Sequence, residues 1–63
     1  MAASVVIYED NELLRRSIEL LLQTNNEFNI VGSFPDCNKV KQQMRELHPQ
    51  LIIMDIDMPG MQG

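Results

Sequence analysis

The stretch LIIMDIDMPG at residues 51–60 decides the predicted fold. Its first four residues are apolar, and the β-branched Ile52 and Ile53 favour a strand that is buried on both faces of a sheet. Asp55 follows at the carboxyl end of this strand, and Pro59-Gly60 then interrupts regular structure. Because ligands bind at the carboxyl ends of strands in open parallel sheets, Asp55 is a candidate functional residue.

A second strand with an acidic end lies near the N-terminus. Residues 4–8 form a mainly apolar run, and Glu9 and Asp10 follow it directly. If the two strands are neighbours, their carboxyl ends bring several carboxylates together. These carboxylates repel one another unless a cation binds among them, and oxygen ligands suit a hard divalent ion such as Mg²⁺. The sequence therefore predicts a magnesium site at this edge.

The segment after Asp10 has the spacing of an amphipathic helix. Asn11 is its predicted N-cap, and Glu12 lies in the first turn, where the helix dipole favours an acid. We expect residues 24–26 to end the helix, because asparagine tolerates the left-handed conformation that stops helices. The predicted core-facing stripe is Leu14, Ile18, Leu21 and Leu22, and the predicted solvent-facing residues are Arg15, Arg16, Glu19 and Gln23.

Residues 28–34 predict a second strand, placed at a sheet edge because its composition is more mixed. A second helix follows, with Asp36 or Asn38 as candidate caps. His48-Pro49 ends it, because the residue before proline is steered out of helical geometry. Its core-facing residues are Val40, Met44 and Leu47, and its solvent-facing residues are Lys39, Lys41, Gln42, Gln43, Arg45 and Glu46.

This alternation of strands and helices predicts an α/β domain with a parallel sheet and right-handed crossovers. The 63 residues allow one small domain or part of one, and the net charge of −4 disfavours nucleic-acid binding by this segment. The chain has one cysteine, Cys37, and no long apolar run, which predicts a cytoplasmic protein that does not enter membranes. Cys37 is interpreted as an unreactive thiol and His48 as an exposed helix-terminal residue.

Three features together resemble the N-terminal half of a two-component response-regulator receiver domain. They are the acid pair Glu9-Asp10, the apolar strand that ends in Asp55, and the run MPGMQG at residues 58–63. The resemblance implies a flavodoxin-like, three-layer α/β/α fold with parallel strand order 2-1-3. Residues 1–63 would then form the N-terminal part of a single receiver domain, without that family's fourth and fifth strands, switch Ser/Thr and phosphate-contacting Lys.

The same resemblance implies roles for individual residues. Asp55 would accept the phosphoryl group, and its carboxylate would also be a ligand of the Mg²⁺ site. Asp10 would bind Mg²⁺ directly, Glu9 would reach it mainly through water, and the backbone carbonyl of Asp57 would complete the protein ligands. The implied partners are a sensor histidine kinase or phosphotransfer protein and an output domain, with transcriptional control as the expected output. The segment itself is expected to be a signalling phosphoacceptor and not an enzyme.

Two other interpretations stay open. The Asp55-x-Asp57 pattern also resembles the first motif of haloacid-dehalogenase-type phosphatases, but that motif normally lies on the first strand and continues into Gly or Thr. A pseudo-receiver that keeps the fold without phosphorylation is the other, and the presence of Glu9, Asp10 and Asp55 argues against it. We also expect the isolated 63-residue chain to dimerise through its third strand, to exchange elements with another copy, or to be the ordered remnant of a longer, proteolysed chain.

Overall fold

Alternating strands and helices make up the part of the chain that the computed structural model describes, residues 2–54. The elements are β1 (Ala3–Tyr8), α1 (Glu12–Gln23), β2 (Phe28–Phe34), α2 (Val40–Leu47) and β3 (Leu51–Met54). Both β2 and β3 pair with β1 in parallel, so the sheet order is β2-β1-β3. The predicted α/β class, element order, strand order 2-1-3 and edge position of β2 are confirmed.

The central strand β1 supplies most of the buried core. Val5, Val6, Ile7 and Tyr8 are each 0% exposed, because β1 has a neighbouring strand on either side. The prediction that β3 is buried on both faces is wrong for the described residues. Leu51 is 46% and Ile52 47% exposed, since only β1 pairs with β3 within residues 2–54.

The pairing of β1 with β2 contains an irregularity next to Gly32, a position where neighbouring side chains leave little room for a Cβ atom. Val5 pairs with Ile30 and Val6 with Gly32, so the register skips one residue of β2. A Cβ atom at Gly32 would lie 2.7 Å from the ring of Phe34 and 2.9 Å from Cδ1 of Leu47. The absence of a side chain therefore lets Phe34 and Leu47 close over the sheet. The Phe34 ring stacks on Tyr8 with centroids 5.6 Å apart.

Helix α1 begins and ends at the predicted residues, but the conformation of its C-terminal end differs from the prediction. The Asn11 side chain accepts a 3.0 Å hydrogen bond from the backbone N–H of Leu14, which confirms the N-cap. The predicted left-handed end is wrong: the C-cap Thr24 has φ −77° and ψ −7°, and its N–H donates to the carbonyl of Leu20. The Thr24 hydroxyl also donates to the carbonyl of Leu21, so terminal carbonyls are satisfied without a left-handed residue.

The predicted core-facing stripe of α1 is only partly confirmed. Ile18 and Leu22 are half-buried, whereas Leu14 is 48% and Leu21 71% exposed. Arg15, predicted to face solvent, has a side chain only 17% exposed. The helix thus turns a polar residue as well as its apolar side chains toward the protein.

For helix α2, the structure confirms the predicted core-facing stripe and the predicted end, but not the predicted caps. Val40, Met44 and Leu47 pack against the core around Val6 and Tyr8.

Lys39 occupies the N-cap of α2 and makes no side-chain capping bond. Neither predicted cap is used: Oδ1 of Asp36 instead accepts a 3.0 Å bond from the N–H of Asn38, closing the preceding turn. His48 ends the helix in the left-handed conformation, at φ 46°. It is exposed, as predicted.

Neither helix of the described residues is long and apolar enough to cross a membrane.

Candidate functional site

The acid pair lies where β1 ends and α1 begins. Glu9 follows the last residue of β1 and is 4% exposed, whereas Asp10 is exposed. The N–H of Glu9 donates a 3.0 Å hydrogen bond to the carbonyl of Phe34, the last residue of β2. The loop of residues 9–11, between β1 and α1, is called the acidic loop below. Its first residue is thus attached to the carboxyl ends of both β1 and β2.

The Glu9 carboxylate has a partner inside its own loop. Its Oε2 accepts a 2.9 Å hydrogen bond from the backbone N–H of Asn11. A buried carboxylate is costly unless hydrogen bonds compensate its lost hydration, and this bond supplies part of that compensation. Because Asn11 also caps α1, the side chains of Glu9 and Asn11 together shape the turn.

A cation from α1 contacts the same loop. Nη1 of Arg15 donates a 2.9 Å hydrogen bond to the backbone carbonyl of Glu9. Nε of Arg15 lies 3.9 Å from Oε2 of Glu19, and that carboxylate oxygen accepts a 2.6 Å bond from the hydroxyl of Ser33 on β2. The acidic loop, α1 and β2 are thus joined by one chain of polar contacts.

The register between β1 and β3 bears on the predicted nucleophile. Tyr8 pairs with Met54, and these residues immediately precede Glu9 and Asp55 in the sequence. Asp55 and Asp57 lie outside the described residues, so their roles as phosphoacceptor and metal ligand stay predictions.

Two of the four predicted metal ligands, Glu9 and Asp10, fall within residues 2–54. No group of three or more His, Cys, Asp or Glu residues that could hold a metal ion occurs in that range. The donor set that Glu9 and Asp10 offer consists of carboxylate oxygens, which fit the preference of Mg²⁺ for hard ligands.

Cys37 lies in the core and not at the acidic edge. It is 7% exposed, and burial, followed by the charge of Asp36, raises the pKa of its thiol. A raised pKa lowers the fraction of thiolate, the form that reacts as a nucleophile. The environment of Cys37 agrees with the interpretation of an unreactive thiol.

The polar contacts of Arg15, Glu19 and Gln43 are the features that sequence reasoning missed. All three were predicted to face solvent, yet Glu19 contacts Ser33 and Gln43 accepts a hydrogen bond from Tyr8. The spacing of Arg15 and Glu19, four residues apart, does indicate an ion pair on one helix face. Their partners on other elements become visible only in the folded chain.

Comparison with known proteins identifies the family. The model of the response regulator receiver domain matches residues 5–63. The chain is 43% identical over 60 residues to the Fimbriae Z protein of Escherichia coli (strain K12). This match covers 95% of this chain and 29% of that protein.

The names of two further relatives indicate two different functions. The transcriptional regulatory protein YdfI of Bacillus subtilis (strain 168) is 34% identical over 59 residues, covering 94% of this chain and 28% of that protein. A protein-glutamate methylesterase/protein-glutamine glutaminase of Idiomarina loihiensis is 33% identical over 63 residues, covering 100% of this chain and 16% of that protein.

This chain therefore spans less than a third of the length of each of these relatives. The family match covers nearly the whole chain, and it agrees with the parallel β2-β1-β3 sheet and with the acid pair at the end of β1. The chain belongs to the family of response regulator receiver domains.

Proposed function

We propose that this chain accepts a phosphoryl group on Asp55 from a sensor histidine kinase or a phosphotransfer protein, in a reaction that requires Mg²⁺. The observation that carries the proposal is the placement of Glu9 and Asp10 at the carboxyl end of β1, beside a strand whose last described residue, Met54, precedes Asp55. Residues 1–63 would be the N-terminal part of one receiver domain.

The proposed chemistry is a single phosphoryl transfer. An oxygen of the Asp55 carboxylate attacks the phosphorus atom, the bond between phosphorus and the donor's imidazole nitrogen breaks, and the imidazole keeps the electron pair. The product is an acyl phosphate, a labile covalent mark suited to a reversible signal.

Charge repulsion is the main obstacle to this transfer, since nucleophile and donor are both anionic. Bound Mg²⁺ would offset that repulsion and stabilise charge on the phosphoryl oxygens. Asp10, Glu9, the carboxylate of Asp55 and the carbonyl of Asp57 are the residues proposed to hold it. Of these, Asp10 is exposed and Glu9 is buried against its own turn. This contrast supports direct binding by Asp10 and contact through water by Glu9.

The output in the full-length protein is proposed to be transcriptional. The support is the name of one relative, the transcriptional regulatory protein YdfI, whose match covers 94% of this chain. We propose that the segment is a phosphoacceptor without an enzymatic activity of its own, located in the cytoplasm. The single cysteine, Cys37, fits a reducing compartment.

Phosphorylation of the full-length protein by acetyl phosphate tests the proposal. Intact-mass measurement should show one added phosphoryl group with Mg²⁺ present, and none after chelation or in Asp55→Asn. The matched control is Asp57→Asn, which removes a neighbouring carboxylate and should still accept the group.

The remaining outcomes separate the alternatives. A phosphoryl group retained by Asp55→Asn would overturn the assignment of the nucleophile. No labelling of the wild type would favour a pseudo-receiver. Sustained release of inorganic phosphate that is lost in both variants would favour a haloacid-dehalogenase-type phosphatase.

A further inference from the structure

We propose that Arg15 is a positioning residue for the acid pair. Its guanidinium fixes the peptide between Glu9 and Asp10, and thereby holds Asp10 in the place from which it binds Mg²⁺. The inference rests on the proposed function, because it concerns the affinity of the same site for magnesium.

The contacts of Glu9 show how little freedom its backbone has. Its N–H donates to the carbonyl of Phe34 at 3.0 Å, and its carbonyl accepts from Nη1 of Arg15 at 2.9 Å. The carboxylate accepts from the N–H of Asn11 at 2.9 Å. Of these three hydrogen bonds, the bond from Arg15 is the only one whose donor is a side chain, and that side chain belongs to α1.

Asp10 depends on its neighbours for its position. It is exposed, and within residues 2–54 no side-chain hydrogen bond of Asp10 is present. The carbonyl that Arg15 holds belongs to the peptide group whose nitrogen is that of Asp10. Fixing this peptide plane therefore fixes the Cα atom of Asp10, from which its side chain projects, because the planar peptide group includes that atom.

Arg15 is itself held in place. Its side chain is 17% exposed, and it forms an ion pair with Glu19, whose side chain is 29% exposed and accepts a 2.6 Å bond from Ser33. The adjacent Arg16 pairs with Glu12 at the same helical spacing, but those side chains are 70% and 68% exposed. The chain thus provides a matched arginine that has an ion pair at the surface and, within residues 2–54, no hydrogen bond to the acidic loop.

Two effects of Arg15 on magnesium affinity have opposite signs. Its positive charge repels a nearby cation, so charge alone predicts tighter Mg²⁺ binding when Arg15 is neutralised. Its hydrogen bond orients a ligand-bearing peptide, and loss of such an outer contact typically weakens metal binding by about 10-fold to 100-fold. We expect orientation to dominate, because Glu19 offsets the charge of Arg15 at 3.9 Å.

Titration of the full-length protein with Mg²⁺, without any phosphoryl donor, tests the inference. We expect Arg15→Gln to lower the affinity about 10-fold. Arg15→Lys should also lower it, since lysine keeps the charge but lacks the planar fork that reaches both the Glu9 carbonyl and Glu19. Arg16→Gln should leave the affinity within about 2-fold of wild type, as its pair is solvated.

A second readout separates positioning from general stability. In the metal-free protein, hydrogen exchange of the Asn11 amide should accelerate in Arg15→Gln and not in Arg16→Gln, because that amide bonds to Glu9. If Arg15→Gln does not fold, Arg15→Lys gives the decisive comparison. Unchanged or tighter Mg²⁺ binding by the Arg15 variants would overturn the inference. A wild type that binds no Mg²⁺ would overturn the proposed function and this inference with it.

Discussion

The hydroxyl of Tyr8 donates a 2.8 Å hydrogen bond to Oε1 of Gln43, and this bond joins the end of β1 to the middle of α2. Tyr8 is 0% exposed, and its ring stacks on Phe34. Because Glu9 follows Tyr8 directly, the bond anchors the strand end from which the acidic loop starts. The position of the candidate site thus depends on a contact between two layers of the fold.

The first prediction concerns this bond. Tyr8→Phe should lower the free energy of unfolding by about 1 kcal/mol, the typical net value of one hydrogen bond, because the ring and its stacking are kept. Denaturant unfolding of the full-length protein measures the change. Gln42→Met is the control on the same helix: within residues 2–54 the side chain of Gln42 bonds only to Glu46 at the surface, so its loss should change stability by less than about 0.5 kcal/mol. Equal effects of both variants would contradict the prediction.

The second prediction concerns alkaline pH. Burial, with a smaller effect from Cys37, raises the pKa of Tyr8, and burial, with a smaller effect from Asp36, raises the pKa of Cys37. In both cases the native state keeps a proton that the unfolded chain releases. The resulting stability is fully present below pH 9.0, the ordinary thiol pKa, and is lost as pH rises through the folded values.

Unfolding free energies measured from about pH 7 to pH 11 check this prediction. They should fall in the upper part of that range, and Tyr8→Phe combined with Cys37→Ala should flatten the fall. Stability that stays constant across the range, or a slope that the double variant leaves unchanged, would show that neither group carries the linkage.

Local signals in the sequence account for the parts of the fold that were predicted correctly. Apolar runs and helical spacing identified every element among residues 2–54. Asn11 was predicted as the cap from its residue type and its position before Glu12, and its bond to Leu14 is equally local. The end of α2 at His48 likewise follows from the adjacent proline.

The errors arise where distant segments decide the outcome. Arg15 and Glu19 looked solvent-facing by helical spacing, but Glu19 contacts Ser33, which is 14 positions away in the chain. The burial of β1 and the exposure of Leu51 depend on strand order and on what covers each strand, which composition does not encode. The acid pair was found because a strand end is a local feature of the sequence. The contact of Arg15 with this pair was not found.

The third prediction concerns metal-linked stability. A ligand that binds only the native state stabilises it by an amount that grows with ligand concentration, so Mg²⁺ should raise the thermal midpoint of the wild type. Asp10→Ala should abolish this increment. In chelator its own stability should lie within about 1 kcal/mol of wild type, because relief of repulsion with Glu9 opposes the loss of an acid near the N-terminus of α1.

Glu27→Gln is the control for this measurement. It removes one negative charge just before β2, at the amino ends of the parallel strands, whereas Asp10 follows the carboxyl end of β1. Glu27→Gln should therefore keep the full Mg²⁺ increment. An increment that persists in Asp10→Ala would mean that other ligands hold the metal.

The last prediction is that the isolated 63-residue chain self-associates through β3. Leu51 and Ile52 are 46% and 47% exposed, and within residues 2–54 only β1 pairs with β3. Burying one such side chain fully is worth about 1.5–3 kcal/mol, a large share of a small domain's stability, so contact between copies is favoured. Light scattering should show a mass above that of the monomer, and Leu51→Lys, which places a charge on the edge strand, should reduce it. Leu13→Lys is the control, since Leu13 is 79% exposed but lies on α1. A monomer with a cooperative thermal transition, or dissociation by Leu13→Lys alone, would show that β3 is not the contact.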